Sequence, residues 1–438
     1  MKVLHVPYAW FPDPCGGTEV YVQALAAELS SLGWQSEIAV ASPKVKQLTA
    51  EERMHMTIYR VPASSQISQA ELYGAGEPTS AAAFSRLLED EKPSVVHFHA
   101  FTPSVSVLWL EAARSAGIPC VYTYHTPTLA CGRGTLLRWG TVPCDGRLTP
   151  LRCAACTLHG LGMSQLAAWG LSIGSPLTAP FFSKAPFRMW PLIHQRSQAV
   201  RDWLTGMRRV VALSAWSKAV LERNGVPSAK IRMVRHGLAG ARSTPEAGRT
   251  RSLHVANKRL KLGFFGRVDR AKGLGLLAEA LGRCPELVVE LHCHLIGEDA
   301  AEPLLRDVVQ RLREDARVHI HPAMPSEQVP KVMAGYDAVL VPSQGFETGP
   351  LVVLEAFAVG VPVIGSALGG IAEWVTHGLN GLLCPPGDAD AWAEAVKSLV
   401  HDAALLARLQ AGVKPPPSMT EVAVHMAGIY QEAMTDAA

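Results

Sequence analysis

Two carboxylates stand eight positions apart in the segment VPSQGFETGPLVVLEAFAVGVPVIG: Glu347 in a polar loop and Glu355 in an apolar run. The loop SQGFETG follows the strand-like VLVP. Pro350 is expected to start the helix PLVVLEAFAVG at its first position, where proline's fixed φ and missing N–H cost least. That helix is apolar on nearly every face and must be buried. A glutamate inside it is costly unless its charge is paired or hydrogen-bonded, which makes Glu355 a candidate functional residue. A buried glutamate tied to a neighbouring backbone amide is the plain structural alternative. The two carboxylates could also be the acid and base of a glycosidase, but their placement on one loop–helix unit makes opposite attack on one bond awkward.

The second constellation is GFFGRVDRAKG, in which Arg267 and Lys272 lie five positions apart across a strand-to-helix turn, next to Gly266 and Gly273. Two fixed cations there can bind a diphosphate and stabilise the charge of a departing nucleotide, or they can simply be a solvated turn. The helix start at Gly349, Pro350 and Leu351 directs free backbone amides to the same region. No clustered set of Asp, Glu and His supplies a magnesium site. The single D-x-D, Asp388 to Asp390 in PGDADAWAEAV, fits better as the N-cap of an amphipathic helix.

The first half carries weaker signals. CGGTE places Gly16 and Gly17 between a strand and its helix, which suits either close approach of a phosphate or sugar or a tight turn. His125 ends the strand-like VYTYH. Just beyond it, Cys131, Cys144, Cys153 and Cys156 cluster within 26 residues, with His159 close by. Four thiolates with one C-x2-C knuckle could hold a structural zinc; free thiols or two disulfides stay open. The other five cysteines are scattered and read as small core residues. From Cys153 to Ser183 no residue carries a formal charge, and Lys184, Arg188, Arg196 and Arg201 follow. Its glycines and prolines argue against a spanning helix. It reads either as a partly buried connector or as a surface touching membrane lipid or an apolar acceptor, with the arginines near phosphate headgroups.

The elements that must position these residues repeat one pattern. KVLHVP is followed by a Pro/Gly loop and the helix TEVYVQALAAELSSLG, where Tyr21, Leu25, Leu29 and Leu32 recur at helical spacing. SEIAVA, VVHFH, CVYTYH and RRVVAL are further strands, with helical segments between them. The polar stretch 239–259 reads as a linker. Beyond it the pattern restarts with LKLGFFG, VVELHCHLIG, VHIHP, AVLVPS and VPVIG. Near-continuous apolar strands alternating with helices predict two α/β units, each a parallel sheet covered on both faces. At 438 residues, with 48% hydrophobic and 18% charged residues, the chain has material for two cores and is not disordered. A formal charge of +3 and no basic run with interleaved aromatics exclude a nucleic-acid tract. MKVLHVPYAW has no small-residue cleavage site and reads as a first strand rather than a secretory signal, which predicts a cytoplasmic protein with reduced thiols.

Taken together, these residues resemble the retaining glycosyltransferases of family 4. Glu347 and Glu355 match that family's E-x7-E motif, Arg267 and Lys272 its phosphate-binding pair, and GGIAE its run after the next strand. The resemblance covers almost the whole chain and is loosest between Thr126 and Arg208. It implies the GT-B fold: two doubly wound Rossmann-like domains facing a cleft. The first, 1–242, would bind the acceptor and carry a cysteine-bearing insertion at about 126–190. The second, 258–413, would bind the nucleotide sugar, and a last helix in 414–438 would return to the first domain. The resemblance also implies metal-independent transfer of a hexosyl-type sugar, with retention, to a saccharide or lipid-linked acceptor; peripheral contact with a membrane is the expectation that the charge-free stretch adds. Glu355 would hold the donor ribose, Glu347 would lie near the sugar hydroxyls, Arg267 and Lys272 would take the diphosphate, His125 would contact the donor sugar, and Gly16–Gly17 would close on the donor. A sugar-nucleotide 2-epimerase of the same fold and a non-catalytic nucleotide-sugar-binding protein are the alternatives.

Overall fold

The computed structural model describes residues 1–13, 16–178, 185–240 and 259–435. The linker reading at 239–259 falls outside them apart from Ala239, Gly240 and Arg259, as do Cys15 and the end of the charge-free stretch from 179 to Lys184. The chain divides into two compact units. Residues 1–236 and 419–438 form the first, and residues 237–418 the second.

In the first unit the strands are β1 (Lys2–Val6), β2 (Gln35–Ser42), β3 (Thr49–Arg53), β4 (Met56–Pro62), β5 (Val95–Phe98) and β6 (Cys120–Tyr124). A two-residue-per-strand hairpin, β7 (Leu137–Arg138) and β8 (Val142–Pro143), stands apart, and β9 (Arg209–Ala212) and β10 (Ile231–Met233) complete the set. The main sheet runs β10-β9-β6-β5-β1-β2-β4-β3, parallel except where β3 folds back on β4. Its strands are short and apolar because both faces are covered: β1, β5 and β6 are almost wholly buried. The helix Gly17–Ser31 buries Tyr21, Val22, Leu25, Ala26 and Leu29 on one stripe. The last helix, Met419–Thr435, places Val422, Met426, Ile429 and Tyr430 in the same core.

In the second unit the strands are β11 (Leu260–Arg267), β12 (Val289–Ile296), β13 (Val318–His321), β14 (Ala338–Val341), β15 (Val363–Ser366) and β16 (Gly381–Cys384). They form one parallel sheet in the order β13-β12-β11-β14-β15-β16. One face packs Leu262, Phe264, Leu291, Cys293 and Leu295 against the helices Leu274–Gly282, Pro303–Glu314 and Ala389–His401. The other packs Phe265, Val339, Val341 and Val363 with Val353, Ala356 and Phe357 of the helix Leu351–Ala358. Asp388 caps the helix Ala389–His401, its carboxylate accepting from the Ala391 amide at 3.0 Å, and so serves as the N-cap that D-x-D spacing suggested.

In both sheets the strand order reverses beside the first strand: between β1 and β5 in one, between β11 and β14 in the other. The loops leaving the carboxyl ends of such a pair diverge to opposite faces and leave a crevice where ligands of doubly wound folds bind.

Candidate active site

The loops that diverge from β11 and β14 carry Arg267 and Lys272 on one side and Glu347 on the other. A short turn, Arg270–Lys272, follows β11, and Asp269 caps it by accepting from the Lys272 amide at 3.0 Å. The turn is locked to the β14 loop, because the Gln344 amide donates to the Ala271 carbonyl at 2.7 Å. Gly273 is required at this junction: its φ is +74°, and a Cβ there would stand 2.0 Å from the Pro342 carbonyl oxygen. So held, the Lys272 ammonium meets Glu347 Oε1 at 2.9 Å. The Ser343 hydroxyl donates to the same oxygen. An ammonium has three N–H donors, so Lys272 keeps two for a further anionic ligand. Arg267 pairs through Nε with Asp269 at 3.1 Å and is 66% exposed. Gly266 sits between Phe265 and Arg267, where a methyl group would make only ordinary contacts, so close packing does not explain the glycine.

The helix after Glu347 begins at Leu351, with Pro350 as its N-cap, one position later than the sequence suggested; Pro350 has φ −71° and ψ +90°, extended rather than helical. Leu351 and Val352 therefore open the helix with amides that have no intrahelical acceptor, and Gly349 lies just outside it. Glu355 sits on the second turn without a hydrogen-bonded or ionic partner among the described residues. Burial alone pushes its carboxyl up to about 7. A third element closes on this loop. The helix Gly369–Trp374 brings the Gly370 amide to the Glu347 carbonyl at 2.7 Å. A Cβ on Gly370 would lie 2.5 Å from that oxygen, so the glycine pair of GGIAE allows the approach. The sequence marked GGIAE only by resemblance; its backbone contact with Glu347, and the roles of Ser343 and Gly273, carry no pattern that sequence reading could have picked out.

In the first unit Gly16 and Gly17 are exposed at the start of their helix. Glu19, which sequence reading passed over, is buried beneath them and accepts from the Gly16 amide at 2.8 Å and the Ala9 amide at 3.3 Å. His125 follows β6 and is buried, and burial, followed by the nearby His236, lowers its pKa to about 3. It does not stand alone. His5 Nδ1 lies 3.1 Å from His99 Nε2, and His99 Nδ1 lies 3.0 Å from His125 Nε2. Tyr21 packs edge-on against His99, His125 and His236.

Burial keeps all three imidazoles neutral, so each bond in the row has one donor. His5 Nε2 is buried without a partner. A buried N–H left unpaired is rarer than an unpaired acceptor, which places the His5 proton on Nδ1. The row then runs from His5 through His99 to His125, making His125 Nε2 an acceptor and fixing its tautomer. His97, beside this row, has both nitrogens committed, to Tyr430 and Thr123 at 2.7 Å each. His5, His97 and His99 bring nitrogens within 4.8 Å of one another, yet both rings of the β5 pair spend both nitrogens on hydrogen bonds. The group is a hydrogen-bonded network.

Cys131, Cys144, Cys153 and Cys156 line one small pocket with Arg133, Arg147 and Arg152. Cys153 and Cys156 lie one turn apart on the helix Pro150–Gly160, and the Trp139 amide donates to Cys156 Sγ at 3.4 Å. Among the described residues, the triads of ligating atoms gathered within 4.8 Å do not include these thiols, so a zinc ion here would require the sulfurs to draw closer. Cys120, Cys284, Cys293 and Cys384 are buried.

Residues 15–239 match the Glycosyltransferase Family 4 domain, and residues 250–414 match Glycosyl transferases group 1. The chain is 37% identical over 172 residues to a D-inositol 3-phosphate glycosyltransferase of Stackebrandtia nassauensis, covering 37% of this chain and only 38% of that protein's length. A D-inositol 3-phosphate glycosyltransferase of Thermobispora bispora aligns over 96% of this chain and 90% of its own, at 24% identity. Among solved structures, HepE of Anabaena in complex with UDP and glucose shares the GT-B fold, with a TM-score of 0.58 at 19% identity over 100% of this chain and 99% of that one. With its first domain matched over more than half the chain, and the second over most of the remainder, this protein belongs to Glycosyltransferase Family 4.

Proposed function

We propose that the protein is a glycosyltransferase that moves a hexosyl-type sugar from a nucleotide-sugar donor to a saccharide or lipid-linked acceptor, with retention and without a catalytic metal. The observation that carries this reading is the crevice between the β11 and β14 loops, where Lys272 and Glu347 are paired and the partnerless Glu355 follows one helix turn on. A cation, a carboxylate with hydroxyl-binding capacity and a partly buried carboxylate suit the diphosphate, the sugar and the ribose of one donor.

In this reading Arg267, Lys272 and the amides of Leu351 and Val352 hold the diphosphate and take up the charge that develops as the bond to the anomeric carbon breaks. The acceptor oxygen attacks from the face that the phosphate leaves. Its proton passes to the departing phosphate oxygen, so the chain need supply no separate base. Glu347, held by Lys272 and Ser343, orients the sugar hydroxyls. Within the first unit His99 and His5 fix the His125 tautomer, and Gly16, Gly17 and His125 are that unit's candidates for contact with a sugar. UDP bound to HepE supports a nucleotide donor, with uridine the first base to test.

The acceptor side offers a second indication. No helix among the described residues is long and apolar enough to cross a membrane. The helix Gln165–Thr178 nonetheless turns Leu166 and Ile173 to solvent, 87% and 63% exposed, and Leu161 just before it is 66% exposed, while Ala168, Ser172 and Ser175 are buried. Large apolar groups outside and small ones inside are the arrangement of a helix lying on lipid, which favours a lipid-linked acceptor and work at the inner face of the membrane.

The test is transfer by the full chain from a panel of nucleotide sugars to saccharide and lipid-linked acceptors, with the product anomer read by proton NMR. Retained configuration in a transfer product is expected, unchanged by chelator. Conversion of donor without acceptor would mark an epimerase, and tight donor binding without turnover a sensor. Either result would overturn the proposal.

A further inference from the structure

Strand parity gives the second sheet two unlike faces near its β13 edge. Leu291, Cys293 and Leu295 enter the core on one side together with Val318 and Ile320. Glu290, His292 and His294 therefore point to the other side. His319 and His321 stand there as well, with His292 opposite His319 and His294 opposite His321 in register. Four imidazoles and a carboxylate thus share one patch of sheet surface. His294 is already used, its Nε2 being 2.7 Å from the Tyr336 hydroxyl. The rest form a different arrangement.

His292 Nδ1 lies 2.9 Å from His321 Nε2, which fixes the ring and leaves Nε2 as its outward atom. That Nε2 is buried, has no hydrogen-bond partner, and lies 3.7 Å from Glu290 Oε2. The gap is too long for a hydrogen bond. It is close to the separation of two ligands on one ion, since bonds of about 2.0–2.2 Å at tetrahedral angles put such atoms about 3.3–3.6 Å apart. His319 supplies the third ligating atom, and the three lie within 4.8 Å of one another. His319 is exposed, so the site opens to solvent on that side.

We propose that Glu290, His292 and His319 form a site for one divalent transition-metal ion of the zinc class, with His321 as the residue that orients His292. Two imidazoles and a carboxylate suit zinc, nickel or cobalt better than magnesium or calcium, which prefer all-oxygen shells. The site is not part of the transfer chemistry. Glu290 lies six residues before Ile296, the β12 partner of Arg267, which places it about 20 Å from the carboxyl edge of the sheet. Its effect is to tie the four-residue edge strand β13 to β12. Lys261, whose ammonium stands 3.6 Å from Glu290 Oε2, competes with the ion for that oxygen.

The experiment is a calorimetric titration of the chelator-treated full chain with zinc, repeated with His319→Ala, Glu290→Gln, His321→Ala and Lys261→Met. Circular dichroism checks that each variant is folded. The cysteine pocket is present in all of them, so the readout is the difference. His319→Ala should bind one equivalent fewer than wild type, Glu290→Gln should weaken that equivalent, His321→Ala should weaken it roughly 10–100-fold, and Lys261→Met should tighten it. Cobalt in the equivalent lost with His319→Ala should show d–d bands without thiolate charge transfer. Unchanged stoichiometry in His319→Ala, a thiolate signature in the lost equivalent, or no zinc bound by wild type would each overturn the proposal.

Discussion

Replacing Glu355 by glutamine should make the protein more stable and less able to bind its donor. Burial without a partner raises the Glu355 carboxyl from 4.5 to about 7. The unfolded chain gives up this proton near pH 4.5 and the folded one only near 7. Between those values the native state binds more protons than the unfolded state, so this residue's contribution to stability falls as pH rises. At about 1.4 kcal/mol per tenfold change in proton affinity, ionised Glu355 costs the fold up to about 3 kcal/mol at pH 8. Glutamine has nearly the same shape and no charge. Denaturant unfolding should therefore show Glu355→Gln matching wild type near pH 4.5 and exceeding it by up to about 3 kcal/mol at pH 8. Donor binding should move the other way. Hydrogen bonds from ribose hydroxyls to a carboxylate contribute about 1.5–3 kcal/mol, so the variant should bind donor roughly 10–150-fold more weakly at pH 8. Wild-type affinity should also rise about tenfold between pH 6 and 8, as the ionised fraction goes from about a tenth to about nine-tenths, while the variant stays flat. Calorimetry with UDP-glucose and then other nucleotide sugars reads both effects. A variant that is less stable at pH 8, or that keeps wild-type affinity and pH slope, would refute the reasoning.

Lys272→Ala should lower kcat by roughly 10²–10³ with an unchanged circular dichroism spectrum, and near-normal turnover would remove Lys272 from the chemistry. His99→Ala should lower kcat more than it raises donor KM and should shift the acid limb of the pH–rate profile upward as water reaches His125; His99→Asn should restore part of the rate, and an unmoved profile would mean that His99 is only a packing residue. Wild-type protein should float with anionic liposomes, and Leu166→Ser/Ile173→Ser should abolish it, whereas wild type left in the aqueous fraction would sink the membrane reading. If the sulfurs of the insertion draw together on an ion, Cys153→Ser/Cys156→Ser should hold one equivalent of zinc fewer than wild type and melt at a lower temperature, and an unchanged zinc content and melting temperature would exclude a cysteine-bound ion.

The alternation of apolar strands with helices made the doubly wound class legible, because burial on both faces leaves a parallel strand little freedom in composition. VPSQGFETGPLVVLEAF was legible for a related reason: a glutamate in an all-apolar helix breaks the pattern in a way that needs an explanation, and Glu355 proves to be largely, not fully, buried and unpartnered. Contacts made by backbone were not legible. The Gly370 amide on the Glu347 carbonyl and the Gln344 amide on the Ala271 carbonyl depend on loops far apart in sequence, and no side chain advertises them. The histidine row was hidden for a similar reason. His5, His99 and His125 lie on or just after three different strands, and only the sheet order β6-β5-β1 brings them into line. Pro350 shows the scale of error at an element's end, where N-cap and first helical position differ only in backbone angle.

The hydroxyl of Tyr430 on His97 has a consequence for how the chain is made. The helix that carries it closes the core of a unit whose other parts lie before residue 237. On the ribosome those parts emerge first and wait while about 180 residues of the second unit are added, roughly 10–40 s at ordinary elongation rates. Through that interval the groove awaiting Val422, Met426 and Tyr430 leaves Val22, Leu25 and Trp34 open to solvent. The first unit can therefore complete its core only after the second unit, whose strands are all contiguous in sequence, has been synthesised.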